Sequence, residues 1–294
     1  MKLPAICLLI ILINFLASCE KNINFDLKDA EKVLVVNAEI ENGKPPTVTL
    51  TKSFSYFDTI NTSLLTNSFV HDADVFISNG ILNHKLKEYS YQLFPGFNGY
   101  YYSIDSSVLA TAFVGELNTN YSLKIISEGK EYSSSVTIPA ISTQPDSIWF
   151  KIAPENPDTN KRILYLKATD PPGLGNYVRY FTKVNGGSFL PGENSVADDQ
   201  VIDGTTYTII LPPGIDRNNP PERDENYFKK GDTVTLKFCN IDRSTYRFWS
   251  TWEFSYQSIG NPFAQPNTVI GNISNGALGA FSGYGAVFIT AIAE

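Results

Sequence analysis

The feature that most constrains this chain is a succession of short runs alternating between apolar and polar residues, most of them closed by residues suited to tight turns. Lys32 to Ile40 is followed by Asn42-Gly43, and Thr47 to Thr51 alternates strictly at period two. Ala73 to Ser78 ends at Asn79-Gly80, and Tyr121 to Ile126 and Tyr132 to Ile138 flank Glu128-Gly129-Lys130. Lys85 to Phe94 and Tyr100 to Ile104 continue the series. A period of two places alternate side chains on one face of a strand, and Asn-Gly tolerates the positive φ that tight hairpin turns require. Seven or so such strands predict an immunoglobulin-like or transthyretin-like β-sandwich over residues 32–140, with a boundary at the prolines between Pro139 and Pro145.

Residues 141–294 predict a second β-rich domain. Its strands are Ser147 to Ile152, Arg162 to Thr169, Tyr177 to Val184, Thr233 to Asn240 and Ala286 to Ala291. Asn185–Asp199 and Pro212–Asn226 read as long loops, and Gly271 to Gly285 as a glycine-rich stretch before the last strand. One helix is expected near 243–258. Asp242 suits its N-cap, Ile241 and Tyr246 are spaced as a hydrophobic staple, and Phe248, Trp249, Trp252 and Tyr256 fall on one stripe. Gly260-Asn261-Pro262 ends it. The expected fold class is therefore mostly β: a sandwich, then a β-rich domain with one packed helix.

The first 31 residues carry a different message. Lys2 precedes the apolar run Ala5 to Leu16, broken only by Asn14. That run is too short to span a hydrocarbon core, which needs about 20 residues. Leu16-Ala17-Ser18-Cys19 resembles the lipobox of bacterial lipoproteins, in which small residues fit the signal peptidase and the cysteine thiol takes diacylglycerol before cleavage. The expectation is a signal peptide over 1–18, with Leu16, Ala17 and Ser18 as the recognition residues. Lipid on Cys19 and a polar tether over 19–31 then hold the body at a membrane.

Hydrophobic residues make up 43% of the chain and charged residues 18%, enough apolar content for a packed core. The formal charge of −7 becomes −8 once Lys2 is removed. No run of Lys and Arg could follow a phosphate backbone, so nucleic acid is not an expected partner. Processing leaves Cys239 as the lone free thiol, in the apolar run Val234 to Cys239, where it reads as a small buried hydrophobe.

Four stretches together carry a family likeness: Asp170-Pro-Pro-Gly-Leu-Gly-Asn-Tyr-Val-Arg-Tyr180; Lys230-Gly-Asp-Thr-Val-Thr-Leu236; Ile241-Asp-Arg-Ser-Thr-Tyr246; and Asn261-Pro-Phe263 running to Asn272-Ile-Ser-Asn-Gly-Ala-Leu-Gly-Ala-Phe281. With Cys19-Glu-Lys-Asn-Ile23, they resemble an uncharacterised family of Bacteroidota-type outer-membrane lipoproteins, a domain of unknown function often found beside TonB-dependent receptors. The resemblance covers nearly all of the mature chain. It implies an outer-membrane location and a receptor as partner, and it brings no catalytic residues.

Other candidate sites are weighed on chemistry. Gly279-Ala-Phe-Ser-Gly283 lacks the G-x-S-x-G spacing of a nucleophile elbow, and its glycines read as points of close backbone packing. Asp198, Asp199 and Asp203, and likewise Asp216, Glu222, Asp224 and Glu225, lack the Asp-x-Asp-x-Asp-Gly spacing of a calcium loop and read as solvated loop charges. His71 with Asp74, and His84 with Glu88, have helical spacings in segments that read as loop or strand, so no zinc site is expected. No metal and no cofactor is expected at all. Tyr89, Tyr91, Phe94, Phe97, Tyr100, Tyr101 and Tyr102 form an aromatic patch that reads mainly as core and cross-strand packing, with sugar stacking as the other possibility. Thr59, Ser147 and Thr233 each sit in an Asp-Ser/Thr-aliphatic triplet resembling acceptors of periplasmic O-glycosylation, with Thr59 and Ser147 the better placed.

The functional expectation is a non-enzymatic binding or accessory lipoprotein at the outer membrane, anchored through Cys19 and associated with a TonB-dependent receptor. Two alternatives stay open. One is a hydrolase of surface glycan or peptide, for which paired carboxylates could serve; the other is a structural envelope protein.

Overall fold

A computed structural model describes residues 31–294 apart from 56, 57, 155, 223–225, 262 and 266. Fifteen strands are found among these residues: β1 Leu34–Glu41, β2 Thr47–Lys52, β3 Asp74–Ser78, β4 Asn83–Phe94, β5 Phe97–Ile104, β6 Thr119–Ser127, β7 Lys130–Ile138, β8 Gln144–Ile152, β9 Lys161–Thr169, β10 Tyr177–Val184, β11 Leu190–Asp198, β12 Thr206–Leu211, β13 Phe228–Lys229, β14 Thr233–Ile241 and β15 Leu278–Ile292. Two α-helices accompany them, the short α1 (Thr62–Thr66) and α2 (Arg243–Gln257). The chain is mostly β with one packed helix, as its patterning predicts.

Eleven strands form one sheet in the order β11-β10-β14-β15-β1-β2-β5-β4-β3-β6-β7. Period-two alternation sends Val36, Leu50, Val75, Ile77, Leu123 and Ile125 into a first core, where Tyr121 and Phe281 are fully buried. The hairpin chemistry behaves as read: Glu128 and Gly129 both have positive φ, +51° and +74°, so β6 and β7 join through a tight primed-type turn. Four further strands make a second sheet in which β9 pairs with β8 on one side and with β12 and β13 on the other. Leu164, Leu166, Phe228, Val234, Leu236 and Phe238 fill the space between this sheet and the β10–β14 region.

β15 joins the two cores. Its residues 278–284 pair in parallel with β1, and its residues 285–292 pair antiparallel with β14. Phe281 belongs to the first core, and Val287 and Ile289 pack against the second. The expected boundary near 140 falls between β7 and β8, yet the first core takes a strand from the end of the chain. Residues Lys32–Glu294 form one compact unit. A buried ion pair between Lys237 of β14 and Glu41 of β1 reinforces the join, with Lys44 on the same carboxylate.

The glycine-rich stretch differs from its expectation. The strand there begins at Leu278, not Ala286, and the glycines admit close neighbours within it. Gly279 has φ +93°, and a Cβ on it would lie 1.9 Å from the Val36 carbonyl oxygen. A Cβ on Gly283 would lie 2.7 Å from the Thr137 carbonyl, where β7 folds back over β15. The expected loop 185–199 contains β11, and β12 lies in a segment read as no element at all. Both are edge strands, with one ladder each to hold them.

The helix begins as its sequence requires. Asp242 Oδ1 accepts the Thr245 N–H at 2.8 Å, and Ile241 and Tyr246 share a hydrophobic cluster. The second oxygen does something the sequence does not disclose: Oδ2 accepts the Thr137 N–H of β7 at 3.1 Å, tying the helix start to the first core's last strand.

Candidate functional site

The helix stripe meets the sheet through a polar network. On β10, Arg179 is 2% exposed; its Nε donates to Ser195 Oγ at 3.0 Å and its Nη1 to Tyr284 Oη at 2.7 Å. Its guanidinium lies 3.5 Å from the centre of the Trp249 ring. Ser195 donates its N–H (2.9 Å) and its hydroxyl to the carboxylate of Glu253, which is 3% exposed. Arg217 Nη2 reaches the same carboxylate at 2.7 Å, and its guanidinium lies 4.6 Å from the Trp252 ring centre. Trp249 and Trp252 are half-buried, and each faces an arginine. Glu253 falls on the same stripe, four residues after Trp249.

Next to this network the two sheets part. β10 and β11 are antiparallel, but their register shifts between Arg179 and Phe181, so that Gly192 to Ser195 stand opposite Tyr180 without regular pairing. Between the edges of β11 and β12 lies a cleft of about 510 Å³, lined by Val178, Tyr180, Val196, Ile202, Tyr207, Ile209, Leu211 and Phe238 among others. Burial pushes the Tyr180 hydroxyl well above its ordinary pKa. Tyr207 is pushed up to about 12, by burial first and then by the negative charges of Asp170 and Asp146. Both phenols therefore stay neutral on a wall that is mostly apolar, with Glu193, Asn194, Ser195, Asp198 and Asn226 as its polar part. Ile209 and Ile210 are 40% and 50% exposed at the rim. A second cavity of about 420 Å³ adjoins at Glu193 and Asn226.

Behind the cleft, the turn between β11 and β12 is held by carboxylates. Asp199 Oδ2 accepts the backbone N–H groups of Gly175 and Asn176, each at 2.8 Å, and Asp203 Oδ1 accepts that of Gly173 at 2.6 Å. Asp170 Oδ1 accepts the Thr143 hydroxyl at 3.0 Å. One carboxylate oxygen from each of Asp170, Asp199 and Asp203 lies within 4.8 Å of the other two. Burial holds the Asp170 carboxyl above the usual range and the charges of Asp199 and Asp203 add to this, while the Thr143 hydroxyl and the Gly204 amide pull the other way. Asp199 is 3% exposed, so it is no solvated loop charge; this corrects the sequence reading. Asp203 is exposed, as expected. Asp198, beside them, accepts the Tyr246 hydroxyl at 3.0 Å. Asp224 and Glu225 lie outside the described residues.

The other predicted residues are scattered. Leu16, Ala17, Ser18 and Cys19 lie outside the described residues. Cys239 is fully buried with its thiol pushed up to about 12, chiefly by desolvation. His71 pairs with Glu88 at 2.6 Å, across the β4 face and not with Asp74. His84 is buried; its Nδ1 meets Thr111 Oγ1 at 2.8 Å and its Nε2 accepts the Asp105 N–H at 2.9 Å. The aromatic patch divides along the β4–β5 hairpin. Phe97 and Tyr102 are core, Tyr89 stacks on Tyr101, and Tyr91 and Phe94 are about half exposed near the tip. Thr59 and Thr233 are exposed, whereas Ser147 is half-buried inside β8, paired with Lys167.

Sequence reading missed Arg179, Ser195, Arg217 and Glu253 as a set, because long-range pairing brings them together. The usable signal was a lone acid on an aromatic helical stripe. Asp170, within a stretch quoted for the family likeness, was likewise not grouped with Asp199. Among the described residues, no helix is long and apolar enough to cross a membrane. No curated protein matches the chain. Residues 20–287 do match the model of a family described as a domain of unknown function, DUF4249, and the chain belongs to that family.

Proposed function

We propose that this is a lipid-anchored outer-membrane protein, held through diacylglycerol on Cys19 after cleavage behind Leu16-Ala17-Ser18. In this reading its body works without catalysis, as a binding accessory to a TonB-dependent receptor. The observation that carries the binding reading is the cleft between β11 and β12. It is mostly apolar, about 510 Å³ in volume, and bordered by two strand edges. Such an opening suits an extended apolar segment, whose backbone can pair with a free edge while alternate side chains enter the cleft. The burial of Cys239 and the commitment of His84 to Thr111 and Asp105 argue against a nucleophile–base pair in this fold.

The test is copurification from native membranes in mild detergent, with the parent chain and with Ile209→Glu, which places a charge at the cleft rim. A TonB-dependent receptor retained by the parent and lost from the variant supports the reading. A parent that brings down no such receptor refutes it.

A further inference from the structure

The cluster behind the cleft holds more negative charge than its surroundings balance. Asp170 is 2% exposed, and its Oδ2 is buried without a hydrogen-bond partner. Its other oxygen is taken by Thr143. Asp199 and Asp203 spend oxygens on the N–H groups of Gly173, Gly175 and Asn176, which fixes the two loops that carry them. No Lys or Arg side chain among the described residues forms an ion pair with any of the three. Buried carboxylates ordinarily find a cation or take up a proton. Two oxygens on a common calcium ion, each 2.3–2.6 Å from it, stand at most about 5 Å apart. The 4.8 Å limit on this triad falls inside that span.

We propose that Asp170, Asp199 and Asp203 bind one divalent cation of the calcium class. The acceptor chemistry is hard oxygen throughout, with neither thiol nor imidazole in the group, as calcium prefers. Water would complete the six to eight oxygens that calcium takes. The ion would join three segments: the end of β9 through Asp170, the loop at 173–176 through the hydrogen bonds of Asp199 and Asp203, and the β11–β12 turn. That turn leads directly from Ile202, on the cleft wall, so the ion would fix the shape of the cleft's rim. This inference does not rest on the receptor reading.

The test is isothermal titration of calcium chloride into the full chain, purified in detergent and stripped with EDTA, with melting curves run in parallel. Asp203→Asn keeps an oxygen for the Gly173 N–H and lies on the surface, so it folds. Asp170→Asn keeps an acceptor for Thr143. The parent is expected to bind one calcium ion per chain with a Kd below about 1 mM. Asp203→Asn should bind at least tenfold more weakly with its EDTA-state melting unchanged. Asp170→Asn should lose binding and melt, in EDTA, at or above the parent. A folded parent with no saturable calcium binding overturns the proposal. Binding that survives unchanged in both variants overturns it as well.

Discussion

Removing the Glu253 carboxylate should be the most damaging single change between helix α2 and the sheet. Three donors converge on it: the Ser195 N–H, the Ser195 hydroxyl and Arg217 Nη2. Glu253→Ala would strand the first two in a dry interface and leave the Arg217 cation, whose side chain is only 12% exposed, without its counter-charge. Breaking a buried ion pair from one side costs about 3–5 kcal/mol, and the cation–π faces of Trp252 and Tyr256 recover only about 1 kcal/mol of that. The net expectation is therefore roughly 2–4 kcal/mol in urea melts of the chain from residue 20 onward. Glu253→Gln retains an acceptor for the Ser195 N–H but turns an amide NH2 toward the Ser195 hydroxyl and Arg217, so its cost should be about 1.5–3 kcal/mol. Pairing Glu253→Gln with Arg217→Met should recover part of it, since the orphaned cation is gone. A Glu253→Ala chain within 1 kcal/mol of the parent would show that the carboxylate is solvated and the network does not hold the helix.

Asp242→Ala should cost about 2–3 kcal/mol, more than a cap alone, because it also releases the Thr137 N–H of β7. Asp242→Asn, which keeps the cap but offers β7 an amide, should fall near half of that in the same melts. Trp252→Ala should cost about 2–3 kcal/mol, below the value for a fully buried tryptophan, since its ring is half-buried against Tyr256 and Arg217. Burial lowers the His84 pKa below its ordinary 6.5, with Asp105 opposing. The unfolded chain thus protonates first, and the stability His84 contributes is full above pH 6.5 and lost as pH falls through the lowered folded value. His84→Gln should remove this part of the pH dependence, read as the difference between parent and variant melts over that window. Cys19→Ala should move the protein out of the membrane fraction, and a variant that still sediments after a high-salt wash would refute lipid anchoring.

Much of the fold was legible because the local signals agreed with one another. Alternation gave β1 to β7, turn dipeptides gave their hairpins, and Asp242 with its staple gave α2 nearly to the residue. What was illegible depends on partners distant in sequence. β15 is rich in glycine and breaks alternation because β1 and β7 press on its backbone, so its first half did not read as strand. β11 and β12 are edge strands with weak patterns, one bulged to place Ser195 and the other carrying its apolar residues to the cleft. The same distance hides the sites: Asp170 and Asp199 are separated by β10 and β11, and Arg179 is linked to Glu253, through Ser195, only when the helix folds back.

We propose the cleft between β11 and β12 as the seat of a receptor partner at the outer membrane. Site-specific photocrosslinking in the native host tests it most directly, with a photoreactive residue in place of Ile209 and, as a control, in place of the exposed Ile81 in the β3–β4 turn of the other sheet. An adduct with a TonB-dependent receptor is expected from position 209 and none from position 81. Adducts equal at both positions, or none from the cleft while the protein sits intact in the membrane, would contradict it.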